Sequence, residues 1–221
     1  MSILLSLETS TQMCSVALHR DGILLSYSSF MMEKSHSKVI IPLIDNILKD
    51  ASLMRNEIQA VAVAKGPGSY TGLRIGVSTA KGLCHALDIP LIGVNTLEAM
   101  AFEVNKYNYT RSHLCPMVDA RRMEVYCAVY DKDNNEVAPV SASIIDAHSF
   151  EELLEKKEMI FFGDGSSKCR KYITSKNARF LDQIYPSALG IGALATNAFN
   201  KGRFDDLAYF EPFYLKDFMS N

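Results

Sequence analysis

A chain of 221 residues, 48% of them apolar and 22% charged, with a formal net charge of −2, can bury one large core or two smaller ones. The charge balance gives no reason to bind nucleic acid by gripping a phosphate backbone unaided, and no apolar run reaches bilayer-spanning length. The opening Ile3-Leu4-Leu5-Ser6-Leu7 is cut short by Glu8 with no basic leader, so residence in the cytoplasm and no membrane partner are expected. Five cysteines, at 14, 84, 115, 127 and 169, include no Cys-x-x-Cys pair; they read as reduced, buried thiols that imply neither a disulfide nor zinc.

In chain order, residues 3–7 read as a strand, 8–12 as a polar turn and 13–19 as an alternating strand. Asp21-Gly22 then makes a hairpin turn into a third strand over 23–30. A helix follows from about 37 to 51, then a strand at 59–65, a helix from about 69 to 87, a short strand at 90–94 and a helix near 96–104. From His113 the order begins again. Residues 114–118 form a strand ended by Asp119, 124–130 alternate, 131–135 turn and 136–145 make a third strand. A helix at 149–156, a strand at 159–162 before Gly163-Asp164-Gly165, a helix near 166–176 and a last helix near 188–200 complete the repeat. Two α/β lobes of βββαβα type are therefore expected, over residues 1–106 and 107–221, with the segment 104–112 between them.

The run Gly66-Pro67-Gly68-Ser69-Tyr70-Thr71-Gly72 stands between an apolar strand and a long helix. Its glycines permit a tight turn, and Ser69 or Thr71 can cap the helix. No Gly-Lys-Ser/Thr closes the run and no glycine stands three places beyond Gly68, so it is neither a Walker loop nor a dinucleotide fingerprint. Further on, Gly72, Gly76 and Ala80 recur every fourth residue and leave a smooth helix face for a close neighbour, inside the protein or outside it. The preceding helix carries Ile40, Ile44, Ile47 and Ala51 on one stripe, widened by Val39, Ile41, Leu43 and Leu48. Such breadth means a helix sandwiched in its own lobe or one offering a face to another chain. Pro42 is tolerated in a first turn and kinks a helix elsewhere. Ser35-His36-Ser37 introduces this helix and reads as its cap.

Chemistry-bearing motifs are scarce. There is no His-Glu-x-x-His and no Gly-x-Ser-x-Gly, and the histidines at 19, 36, 85, 113 and 148 stand singly. Arg121-Arg122 and Lys168 with Arg170-Lys171 are short basic clusters that read as solvated faces. Glu8 and Asp119 each end the first strand of a lobe, where actin-like phosphotransferases place metal and phosphate turns. Acidic residues are also what turn chemistry alone favours.

Taken together, Leu7-Glu8-Thr9-Ser10-Thr11, Cys14-Ser15-Val16-Ala17-Leu18, Ser35-His36-Ser37, the run 66–76, Gly93-Val94-Asn95-Thr96-Leu97 and Asp119-Ala120-Arg121-Arg122-Met123-Glu124-Val125-Tyr126 closely resemble the TsaB family. These are the dimerisation subunits of the bacterial tRNA threonylcarbamoyladenosine machinery. The resemblance implies two pseudo-duplicated actin-like (ribonuclease H-like) lobes and kinship with TsaD, which transfers threonylcarbamoyl to N6 of the adenosine beside the anticodon. It implies a noncatalytic partner that docks on TsaD and activates it, is joined by the ATPase TsaE, pairs with itself when alone, and meets tRNA only through the complex. In TsaD a His-x-x-x-His pair holds a metal; the matching positions here are Thr96 and Met100, a poor ligand set, so no metal is implied. The first-lobe residues Ile40, Ile44, Ile47, Gly72, Gly76 and Ala80 are the expected partner interface. Glu8, Asp119, Gly163 and Gly165 are the candidate nucleotide contacts. No tightly bound cofactor is implied, with ATP or ADP confined to a subunit junction. The alternative is a free-standing actin-like ATPase or kinase, with Glu8 and Asp119 near magnesium and either the run 66–72 or Gly163-Asp164-Gly165 near the nucleotide.

Overall fold

The computed structural model describes residues 2–31 and 36–216, and the chain divides into two compact units, residues 1–99 with 186–214 and residues 100–185 with 215–221.

The first unit is built on β1 (Ile3–Glu8), β2 (Met13–Arg20), β3 (Ile23–Met31), β4 (Ala60–Gly66) and β5 (Leu91–Asn95), in the spatial order β3-β2-β1-β4-β5. β1 pairs antiparallel with β2 and parallel with β4, which in turn pairs parallel with β5. Asp21 and Gly22 both take positive φ, 49° and 82°, the geometry that lets a two-residue turn follow the twist of its strands. β1 is buried at every position and β4 at all but one, as a strand covered on both faces must be. One cover is α1 (His36–Asp50) with α2 (Tyr70–Leu87). Ile40, Ile44, Ile47, Val77 and Ala80 join Leu5, Leu7, Val16 and Val63 in one apolar cluster there. α1 continues unbroken through Pro42, which lies in its second turn on the exposed side.

The other cover is α6 (Ala188–Asn200), whose Ile191 and Ala195 pack with Leu4, Ala62, Ala64 and Ile92. Gly192 is required there, because a Cβ would stand 2.2 Å from the His19 ring. Chain order suggested that this last helix belongs to the second lobe; its apolar face instead completes the first. α3 (Thr96–Asn105) starts in the first unit and ends in the second, its first turn capped by Asn95 Oδ1, which accepts from Leu97 N at 2.9 Å.

The second unit contains β6 (His113–Asp119), β7 (Glu124–Tyr130), β8 (Glu136–Ile144), β9 (Met159–Phe162) and β10 (Ala178–Leu181), ordered β10-β9-β6-β7-β8. Read from the other edge, this is the first sheet's order, with the same antiparallel and parallel pairings. The expected duplication is present. Its helices are short: α4 is Glu151–Lys156 and α5 is only Ser166–Cys169. The helix expected over 166–176 stops because Ile173 turns into the core, 4% exposed, and Thr174-Ser175 are poor helix formers. The chain then makes β10, absent from the sequence reading, whose Phe180 stacks on Phe161 at 5.2 Å.

Candidate functional site

In the first unit, the glycine run and the turn after β1 fill one another. Ser69 N donates to Ser10 O at 2.6 Å and Thr9 Oγ1 donates to Gly72 O at 2.7 Å. A Cβ at Gly68 would lie 2.5 Å from Ser10 O, one at Gly72 2.0 Å from Thr9 O and one at Gly76 2.4 Å from Thr9 Oγ1. The smooth stripe of α2 therefore receives the chain's own turn and not a foreign helix. Glu8, Thr9 and Ser10 are completely buried, and Glu8 Oε1 accepts from Ser10 N at 2.6 Å. His36 closes the same turn by donating from Nε2 to Thr11 O at 2.7 Å. It is a buried staple between α1 and the turn; Ser35, read with it as a helix cap, lies outside the described residues.

All six expected interface residues are consequently internal. Ile40, Ile44 and Ile47 are each 1% exposed and Ala80 fully enclosed, while Gly72 and Gly76 face Thr9. The apolar breadth of α1 is absorbed by its own core, apart from Ile41, 42% exposed. What remains outward on the helix pair is a shallow open groove whose walls include Ser37, Ile41, Tyr70, Arg74, Ile75 and Ser78.

One end of that groove carries an aromatic and cationic cluster that the sequence reading missed. Arg74 lies over the Tyr70 ring, 4.5 Å from its centroid, and Tyr214 packs against Tyr70 with centroids 4.9 Å apart. A bond to the Tyr214 hydroxyl raises the Arg74 pKa further. Tyr214 is brought there by a strap, residues 205–214, fastened along the unit. Asp205 Oδ2 accepts from Gly93 N at 2.7 Å, Lys81 Nζ donates to Ala208 O and Phe210 O, both at 3.1 Å, and Phe213 N donates to Lys65 O at 2.6 Å. Gly93 leaves room for the Phe210 ring, and Gly66, at φ 112°, for Phe213 O. The strap has no periodicity, and its only signal was a run of aromatics following the last helix.

In the second unit the candidate nucleotide residues are likewise engaged. A Cβ at Gly163, φ 103°, would lie 2.2 Å from Met117 O, and one at Gly165 3.0 Å from Asp119 N. These glycines let the turn press onto β6. Asp119 forms an ion pair with Lys168, whose Nζ also donates to Arg122 O at 2.8 Å and Glu124 O at 2.7 Å. Asp164 Oδ1 accepts from Asp119 N at 3.1 Å; burial pushes the Asp164 carboxyl pKa up. Glu8 belongs to one unit and Asp119 to the other. Thr96 and Met100 are both buried, and among the described residues no three His, Cys, Asp or Glu side chains gather where a metal could be held.

All five cysteines are buried and free. Burial raises the pKa values of Cys14, Cys84 and Cys169 to about 11, whereas bonding to Cys115 lowers Cys127 to about 7. Among the described residues no helix is long and apolar enough to cross a membrane.

Residues 30–218 match the family described as TsaD, tRNA N6-adenosine threonylcarbamoyltransferase. The chain is 37% identical over 134 residues to the tRNA threonylcarbamoyladenosine biosynthesis protein TsaB of Escherichia coli (strain K12), covering 61% of this chain and 57% of that one. It is 30% identical over 226 residues to the protein of the same name from Haemophilus influenzae, covering 97% and 93% of the two chains. The fold also superposes on the solved structure of YeaZ from Pseudomonas aeruginosa, with a TM-score of 0.85 and 25% identity over 97% of this chain and 100% of the other.

Proposed function

We propose, from the premise that the chain belongs to the TsaB family, that it is a noncatalytic subunit which docks on a TsaD-type threonylcarbamoyltransferase through the outer face of α1 and α2 and so activates it. Its role lies in the biosynthesis of tRNA threonylcarbamoyladenosine.

The carrying observation is the contrast between the two faces of one helix pair. Inward, the acidic turn and the glycine run are closed on each other by Thr9, Ser10 and His36. Outward, Ile41, Tyr70 and Arg74 line a groove that nothing within the unit fills. An exposed aliphatic side chain beside a stacked aromatic and an arginine is the composition of a protein-binding hot spot. The proposed interface differs from the sequence expectation: of those six residues Ile40 alone borders the groove, at its floor, while Ile44, Ile47 and Ala80 lie in the core beneath it.

In this reading TsaE joins the assembled pair, ATP or ADP is held at the subunit junction, and the isolated chain pairs with itself through the same face in the cytoplasm. Size-exclusion chromatography of the chain mixed with TsaD at micromolar concentration tests the proposal. A one-to-one complex is expected, together with transferase activity absent from the chain alone. Two unmixed peaks, with and without nucleotide, contradict it. Tight binding and turnover of magnesium-ATP by the solitary chain, abolished by Asp119→Ala, would establish the free-standing ATPase instead.

A further inference from the structure

The two basic clusters of the sequence, Arg121-Arg122 and Lys168 to Lys171, converge in the folded second unit. Lys168 joins them: its ammonium pairs with Asp119 and donates to the carbonyls of Arg122 and Glu124. The β6–β7 turn is thereby pinned against α5, and Arg121 N donates to Asp119 Oδ1 at 2.7 Å. Arg121 and Arg122 both take left-handed backbone angles, φ 69° and 50°, and both side chains are exposed, as is Lys171. An open depression lined by Ser167, Lys168, Arg170 and Lys171 adjoins the pinned turn.

Three of the nearby carboxylates are paired. Asp119 is held by Lys168, Asp182 by Arg170 and Glu124 by Lys216. Among the described residues, Asp164 is the one carboxylate here with no cation on it, its Oδ1 accepting from Asp119 N at 3.1 Å. Arg121, Arg122 and Lys171 stand outside these ion pairs against the single carboxylate of Asp164, which leaves a local excess of positive charge on a chain whose overall charge is −2. Guanidinium forks suit phosphate oxygens, and cations fixed on two rigid turns lose less freedom on binding than cations on a flexible tail.

We infer that Arg121, Arg122 and Lys171 form a contact site for the phosphate backbone of RNA, by which the second unit touches the tRNA directly. This rests on the role in tRNA modification proposed above and revises the expectation that RNA meets this chain only through its partner. The site positions backbone and reads no bases, so its contribution is electrostatic and sequence-independent.

The test uses the complex of the full chain with TsaD, and the chain alone should pairing fail. Binding of unmodified tRNA is titrated across salt for the parent and for the triple variant Arg121→Gln, Arg122→Gln, Lys171→Gln. A control triple, Lys132→Gln, Lys157→Gln, Lys201→Gln, removes equal charge elsewhere. Loss of three phosphate contacts should weaken binding about tenfold at low salt and reduce the slope of log K against log salt by about two, with the control near the parent. Unchanged affinity and slope in the patch variant, or equal losses in both triples, overturns the inference, as does capture of an acidic protein by the patch with RNA affinity unaltered. Association with TsaD is measured on the same samples by light scattering. Intact pairing with unaltered RNA binding rejects the RNA site alone, whereas absent pairing rejects the docking proposal and leaves the RNA titration to decide separately.

Discussion

The two units carry the same strand order, and each packs a glycine turn closely on the end of its first strand or the turn after it, yet their helices have diverged. α1 and α2 span 15 and 18 residues, while α4 and α5, at the corresponding places in the order, span 6 and 4. Long helices give the first unit a broad outer face carrying Ile41, Tyr70 and Arg74; the short turns of the second leave charged side chains instead. A shared core architecture thus carries an apolar, aromatic groove in one unit and a basic depression in the other, because the sheet fixes the turns and the helix lengths decide what is shown.

The sharpest way to break this comparison is to load the glycine turns. Gly72→Val and Gly163→Val place carbon where a carbonyl oxygen lies 2.0 Å and 2.2 Å from the nearest Cβ position, and each should cost roughly 3 kcal/mol or more of stability. Urea unfolding should show both variants strongly destabilised; a tolerated change in one unit alone would end the claimed equivalence. Gly76→Leu is expected to fail through the fold and not through pairing, since Thr9 occupies its space.

A smaller effect is expected at the edge of the docking face. Tyr214→Ala removes the stack on Tyr70 and the bond from Arg74, and should weaken TsaD binding by about 1 kcal/mol with little change in melting temperature. Biolayer interferometry reads this directly, and unchanged affinity would remove the strap from the interface. Gly82, in the exposed interior of α2 with nothing within 4 Å of its Cβ position, supplies the opposite sign: Gly82→Ala should stabilise by up to about 1 kcal/mol without touching pairing.

The smallest expected change concerns Asp164. Its pKa is raised in the fold by burial, so the folded state holds the proton more tightly than the unfolded one. The resulting contribution is fully present below the unfolded value of 3.8 and is lost as pH rises through the folded value. Asp164→Asn should therefore match the parent near the acid end and gain on it with rising pH, as followed by urea midpoints. A gap that narrows with rising pH would mean the carboxylate is favoured where it lies.

Much of this was legible in the sequence. The Asp21-Gly22 turn, the period-two strands and the repeated element order announced both sheets, and the stripe of Ile40, Ile44 and Ile47 showed which side of α1 is apolar. What that side meets was not legible, because an internal sheet and a foreign helix demand the same spacing. The Gly72, Gly76 and Ala80 stripe was ambiguous for the same reason, and Thr9, more than sixty residues away, resolves it. The four residues of β10 were too few to carry a period. α6 was assigned by chain order to a lobe whose sheet it does not cover. The basic patch depends on Lys168 reaching Asp119 across 49 positions, which only the folded chain brings about.

Titration calorimetry of TsaD with the double variant Ile41→Asp, Arg74→Glu, whose side chains face outward, tests the central claim most directly. The account predicts a fold and melting temperature like the parent's and binding weakened by at least about 30-fold. Parental affinity in a folded double variant would contradict it and move the docking surface off the α1–α2 face.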